Sequence, residues 1–221
     1  MDHTAFLEAV QQGDVEQINR LLDEDPTLAE AKTENGLSAL LLAAYYGHPQ
    51  IASLLASRRS ELTLFEACVA GDPDRVRALL AGDAGLANAF APDGFQPLGL
   101  AAFFNQPLVA KVLLEYGADV NSPSRNAQKV PPLNSACASG SLEIARMLLE
   151  HGADPNLRQA GGFFPLHTAA QNGQVALIEL LLAHGAELNP RAASGQTPLG
   201  FALEANRAPA AELLRLRGGV E

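Results

Sequence analysis

The sequence predicts an all-α fold of stacked helical pairs, and three observations carry that expectation. The string Pro-Leu-x-x-Ala recurs at Pro97–Ala101, Pro132–Ala136, Pro165–Ala169 and Pro198–Ala202. Its leucines, Leu98, Leu133, Leu166 and Leu199, are evenly stepped except for a slightly longer first interval. Self-similarity at such a period marks a chain built from one repeated supersecondary unit. Each copy also continues in the same way, through an apolar run ending Leu-Leu and then Gly-Ala-Asp or Gly-Ala-Glu with Asn two residues on, as in LLEYGADVN (113–121), LLEHGADPN (148–156) and LLAHGAELN (181–189). Finally, the chain is 48% hydrophobic but only 5% aromatic, with no Trp. A core so poor in rings is built from Leu, Ala, Val and Ile, which suits closely packed helices.

Each element of the unit follows from its residues. Pro opens a first helix at the one turn where its missing N–H costs nothing. The Leu and two small residues at i, i+3 and i+4 make one narrow face that lets neighbouring helices approach. Gly13, Gly47, Gly71, Gly140 and Gly173 end the first helix in an abrupt turn. A second helix carries the Leu-Leu pair inward, and Gly117, Gly152 and Gly185 supply the left-handed residue that closes it. The Asp-x-Asn stretch favours a tight turn into the next unit. One such unit cannot bury its own apolar face, whereas a stack can.

The fullest copy, FPLHTAAQNGQVALIELLLAHGAELN, runs from Phe164 to Asn189. On these residues the chain resembles ankyrin-repeat proteins, over essentially its whole length and as six to seven repeats. The resemblance implies an ankyrin-repeat solenoid of helix–turn–helix units with β-turn fingers. It implies one domain over residues 1–221, with approximate repeats 2–34, 35–59, 60–92, 93–126, 127–158, 159–190 and 191–221.

Two departures stand out. The first half repeats at double length: Phe6 pairs with Leu64, Gly13 with Gly71, Gly36 with Gly94 and Leu40 with Leu98, always at the same offset. The step from Leu40 to Leu64 is too short for a complete unit, so a finger is expected to be missing near residues 58–63. Thr63 and Glu66 have the spacing of a capping box that would start the next helix directly. The first helices of repeats one and three lack the Pro-Leu start and are expected to be less regular. The second departure is the loop Ser122–Pro132, two residues longer than its counterparts, and two readings are open: a tolerated insertion or a functional loop.

The formal net charge is −10. A net-acidic chain with no basic run argues against nucleic acid, whose phosphates favour basic proteins. The acids concentrate at the start: residues 1–36 carry Asp2, Glu8, Asp14, Glu16, Asp23, Glu24, Asp25, Glu30 and Glu34 against Arg20 and Lys32. A solvated end-piece and a dock for a basic partner both fit that imbalance. The opening residues lack the pattern of a signal peptide, and no apolar run approaches a membrane span, so no membrane is expected. Cys68 and Cys137 are the only cysteines; they share one slot two repeats apart, where a disulfide is out of reach. They fit buried small residues in a reducing, cytoplasmic setting.

The string LRLRGG, Leu214–Gly219, reads like a conjugating tail, yet it aligns with Leu181–Ala186. It is therefore expected to be the last second helix and its terminating glycine. His48, His151, His167 and His184 are each explained by repeat position, and no convergent set of catalytic or metal-binding groups is present. No cofactor, no metal and no enzyme activity are expected.

What remains is the surface. The resemblance implies a protein partner held on a concave face of finger tips and first-helix ends. Two of the seven variable pairs ending the first helices are aromatic, Tyr45–Tyr46 and Phe103–Phe104, and Gln171–Asn172 is another such pair. Two residues before the Pro slot stand Leu37, Phe95, Val130, Phe163 and Gln196, and all but Gln196 are apolar where a solvated finger would be polar. The candidate partner-binding residues are therefore Leu37, Tyr45, Tyr46, Phe95, Phe103, Phe104, Val130, Phe163, Gln171 and Asn172. Two roles fit the rings: repeat-to-repeat filler, or anchors for a partner. The function expected is a non-catalytic protein-binding module; the alternative is a regulatory or inhibitory subunit that modulates an enzyme. A monomer is expected, and a homo-oligomer through the same face is also compatible.

Overall fold

The computed structural model describes residues 3–221; the expected start of the first repeat, Asp2, lies outside them. Along the described residues fourteen α-helices fall into successive pairs. They are α1 (His3–Gln12) with α2 (Val15–Glu24), α3 (Ala39–Tyr45) with α4 (Pro49–Ser57), α5 (Leu64–Ala70) with α6 (Pro73–Gly82) and α7 (Pro97–Phe103) with α8 (Pro107–Glu115). They continue with α9 (Pro132–Ser139) and α10 (Leu142–Glu150), α11 (Pro165–Asn172) and α12 (Val175–Ala183), and α13 (Pro198–Glu204) and α14 (Ala208–Leu216). First helices pack in one row, from α1 through α13, and the second helices α6 to α14 pack in another. A single apolar core runs between the rows. The architecture is the all-α repeat solenoid that the periodicity predicts.

The rows pack closely because of small residues. Ala43, Ala67, Ala101, Ala136, Ala169 and Ala202 occupy one slot of the first helices, and all are fully buried. Pro opens α4, α6, α7, α8, α9, α11 and α13. At α2, α3 and α10, which lack Pro, a side chain caps instead: Asp14 accepts from Gln17 N, Ser38 from Leu41 N and Ser141 from Ile144 N. The turn after α5 shows why glycine is needed there. Gly71 has φ +75°, and a Cβ on it would collide with Gln106 Oε1. That side chain crosses the turn to donate from Nε2 to Val69 O at 3.1 Å. One pair thus reaches back to the pair before it.

The strongest regularity is a series of asparagine bridges. Asn88 Nδ2 donates to Gly117 O at 3.1 Å while its Oδ1 accepts from Asp119 N at 2.8 Å. Asn121 does the same with Gly152 O and Asp154 N, and Asn156 with Gly185 O and Glu187 N. Asn189 closes the series on Gly218 O and Val220 N. Each carboxamide satisfies a carbonyl left over at the end of the next pair's second helix. The finger turns are stitched as well: Arg125 N donates to Gly94 O at 2.8 Å, Ala160 N to Gln128 O at 2.8 Å and Ala193 N to Gly161 O at 2.9 Å. The LRLRGG string is, as its register predicts, the end of α14 and its left-handed Gly218, and it is held down by the last asparagine.

The doubled register of the first half is visible in detail. The 3₁₀ turns Pro26–Glu30 and Ala84–Asn88 stand at the same offset as the glycine and leucine pairs, each opened by an aspartate, Asp25 or Asp83. The expectation that first helices in pairs one and three would be less regular is not met. α1 spans ten residues. α5 opens on a full capping box, Thr63 with Glu66, which does locally what Pro-Leu does elsewhere. Residues 58–63 alone join α4 to α5. There the Arg59 guanidinium, its side chain only 4% exposed, binds Glu66, itself 2% exposed, and reaches Glu30 at 2.5 Å. Glu66 also accepts from Thr63 N at 2.9 Å and Thr63 Oγ1 at 2.7 Å, so its buried charge is fully partnered.

Two outcomes follow for stability. Asn156→Ala removes both halves of one bridge and is expected to cost about 1–2 kcal/mol, read as a lower urea midpoint with an unchanged slope. Arg59→Ala leaves the Glu66 carboxylate buried without its cation and is expected to cost about 3–5 kcal/mol. Adding Glu66→Gln should then recover part of that loss.

Candidate functional site

The C-terminal ends of α3 and α7 carry the two aromatic pairs. Tyr46 and Phe104 are the capping residues, bonded through their N–H to Leu42 O at 3.0 Å and Leu100 O at 2.9 Å. Tyr45 and Phe103 stand one step earlier, yet opposite members of the two pairs face solvent, Tyr46 in one and Phe103 in the other. The rings meet across α5, whose corresponding pair is the small Val69–Ala70. Tyr45 lies 5.4 Å from Phe104 and 6.3 Å from Phe103, and the two phenylalanines stack edge-on at 5.1 Å. Tyr45 Oη donates to Asp93 Oδ2 at 2.6 Å. Burial first, and the Asp93 carboxylate second, push the phenol pKa well above its ordinary value, so Tyr45 remains a donor.

The sequence-picked residues divide by environment. Tyr45, Phe104, Leu37 and Phe95 are half-buried and packed on the core. Val130 is half-buried in the long loop. Phe163 packs on Phe201 at 5.2 Å and on the His167 ring at 6.0 Å. Tyr46 is 54% exposed and Phe103 41%. Gln171 and Asn172 are exposed, with Arg207 Nε donating to Gln171 O at 3.1 Å. Sequence reasoning missed Leu108, 66% exposed at the first turn of α8, four residues beyond Phe104. Its signal was present: Val109, Val112 and Leu113 are buried and define the inner face, which turns Leu108 outward. It also missed Asp93, whose link to Tyr45 spans 48 residues and has no local trace.

The long loop is tied down rather than loose. Arg125 N and Asn126 Nδ2 bond the preceding finger at Gly94 O and Asp93 O, Gln128 O accepts from the following finger, and Val130 N donates to Ser124 Oγ at 2.8 Å. The Arg125 guanidinium sits 3.8 Å over the Phe90 ring.

The titratable groups are engaged structurally. His48 Nε2 lies 3.1 Å from Gln11 O, His151 Nδ1 2.7 Å from Met147 O and His184 Nδ1 2.9 Å from Leu180 O. A carbonyl only accepts, so each ring nitrogen donates. His167 is buried; its Nδ1 accepts from Phe164 N at 3.1 Å and its Nε2 donates to Gln196 O at 3.2 Å. Burial lowers its pKa against the opposing pull of backbone carbonyls. Cys68 and Cys137 are buried, and burial raises both thiols, Cys137 to about 12. They are small core residues, protonated and unreactive. No helix among the described residues is long and apolar enough to cross a membrane.

A family model described as ankyrin repeats (3 copies) matches residues 64–159 and 154–220, the greater part of the chain. No curated protein matches the sequence.

Two measurements separate packing from surface. Phe104→Ala opens the ring cluster and is expected to cost about 2 kcal/mol, while Tyr46→Ala should stay within about 0.5 kcal/mol of the parent; thermal melts decide. For His167, the unfolded ring titrates near pH 6.5 and the folded one lower. Its stabilisation is therefore complete above about pH 6.5 and lost as pH falls through the folded value. The stability gap between the parent and His167→Gln should narrow from about pH 7.5 to about pH 5, measured by urea midpoints.

Proposed function

The chain belongs to the ankyrin-repeat family, and from that premise we propose that it is a non-catalytic binding module that holds a protein partner on a concave face of first-helix ends and finger tips. Ankyrin repeats are generally protein–protein interaction modules. The observation that carries the reading here is two exposed rings at the ends of α3 and α7, Tyr46 and Phe103, the latter packed on the half-buried rings of Tyr45 and Phe104. Rings with this arrangement present a rigid apolar contact at little entropic cost, and aromatic anchors carry much of the affinity at protein interfaces. Leu108 would extend the same patch beyond Phe103.

The partner, in this reading, offers an apolar segment to the two rings, flanked by groups that meet the neutral polar Gln171–Asn172 pair further along the row. The engaged histidines and protonated thiols support a role without catalysis. A cytoplasmic setting is part of the proposal and rests on those two unpaired cysteines.

Affinity capture from the source lysate with the parent and with Tyr46→Ala/Phe103→Ala tests this. Each ring should contribute about 1–3 kcal/mol to partner affinity, so the double variant should release the captured protein while melting with the parent. Equal recovery by both would move the contact elsewhere. A dimer of the parent in light scattering, lost in the double variant, would assign the rings to self-association.

A further inference from the structure

The helix pairs are not all joined alike, and the exceptional junction lies between α3–α4 and α5–α6. In the finger row, the donors Arg125, Ala160 and Ala193 each stand four residues after a bridging asparagine: Asn121, Asn156 and Asn189. Four residues after Asn88 stands Pro92, which has no N–H to give. The carbonyl it would serve is that of Gly36, the counterpart of Gly94 in the doubled register. The two finger tips do touch, since a Cβ on Gly36 would lie 3.6 Å from Pro92 Cγ. They touch without a main-chain hydrogen bond.

Among the described residues no asparagine bridge spans this junction, and between the first pair and the second the bridge changes character. In the doubled register Glu30 takes the place of Asn88, and Arg59 that of Gly117. A salt bridge from the half-exposed Glu30 therefore occupies the position of a carboxamide-to-backbone bond. Arg59 must also serve Glu66, and its buried Nε finds no acceptor among the described residues. Apolar packing is incomplete here too. A cleft of about 330 Å³ lies in the junction, lined by Leu41, Leu64, Phe65, Leu79, Leu86 and Pro92. The buried polar groups on its wall, Ser38 and Glu66, already have partners within the protein, so the cleft is a deficit of packing rather than a ligand site.

We infer that this junction is a seam at which α1–α4 open as one body ahead of the rest of the solenoid. In a stack where each unit contacts only its neighbours, stability is a sum of unit and interface contributions, and the chain divides at its weakest interface. No main-chain hydrogen bond crosses the seam among the described residues. Side chains hold it: Tyr45 on Asp93, the rings of Tyr45 on Phe103 and Phe104, and Arg59 on Glu66. Arg75 ties the link to the far side, with Nε on Leu62 O at 2.9 Å and Nη2 on Glu61 at 3.0 Å, so the boundary falls at residues 58–60.

Native-state hydrogen exchange of the full chain, followed through low urea concentrations, tests the seam. The amides of α1–α4 should share one opening transition and exchange about tenfold or more faster than those of α7, α9 and α11. Tyr45→Phe removes one seam-crossing hydrogen bond and leaves the ring in place. It should speed exchange in α1–α4 about fivefold and leave α9–α12 within about twofold of the parent. A single opening transition shared by α1–α4 and α5–α8 would overturn the inference. So would a Tyr45→Phe effect of equal size on both sides of residues 58–60.

Discussion

The repeated bond of an asparagine carboxamide to the next unit's backbone is the constraint on which the regular part of this solenoid rests. A second helix that ends on a left-handed glycine leaves carbonyls without intrahelical partners. A carboxamide offers a donor and an acceptor on one rigid plane. Asn88, Asn121, Asn156 and Asn189 use both, each holding a glycine carbonyl and an N–H two residues further on. Two bonds in fixed geometry set the rise and rotation from one pair to the next, and the buried alanines of the first helices then set how close the pairs lie. The same bond explains why the chain's final residues are ordered against the stack: Gly218 and Val220 receive the last bridge, and Thr197 Oγ1 donates to Val220 O at 2.5 Å.

Where that bond is replaced, the protein changes its means of cohesion. Glu30 and Arg59 substitute an ion pair for the amide bridge, and Arg59 is then shared with the capping box of α5. A buried charge pair is weak evidence for stability but a strong constraint on geometry, because separating its members strands a charge in apolar surroundings. The doubled register of the first half is the sequence trace of this substitution. Pairs one and two relate to pairs three and four as blocks, with the 3₁₀ turns Pro26–Glu30 and Ala84–Asn88 repeating the same local solution.

The surface features concentrate beside this irregular junction. The aromatic cluster of Tyr45, Phe103 and Phe104 bridges α3 and α7 over the small residues of α5, so Tyr45 and Phe104 are part of the packing while Phe103 faces outward. Filler and anchor are roles of different rings in one cluster. Rigid support beneath an exposed ring lowers the entropic cost of ordering it on binding, which is why the half-buried members matter to the function proposed for the exposed ones. The remaining ionisable groups do structural work: His167 spans the finger of its own unit and the next one, and Arg75 pins the short link.

The sequence alone determined the repeat, its helix boundaries, the capping box at Thr63 and Glu66, and the helical identity of the LRLRGG string. All of these rest on local patterns: proline and glycine positions, apolar periodicity and capping spacings act within a few residues and are legible in any one copy. The same local rules misjudged the first helices of pairs one and three, because a capping box at α5 replaces the missing proline. Only the tertiary structure decided which rings of the two aromatic pairs are exposed, that Tyr45 binds Asp93, and that Arg59 lies between Glu30 and Glu66. Those outcomes depend on how far one pair is displaced and rotated against others. That displacement is the sum of contacts between residues 29 to 48 positions apart, a range over which periodicity fixes the order of units but not the direction of a side chain.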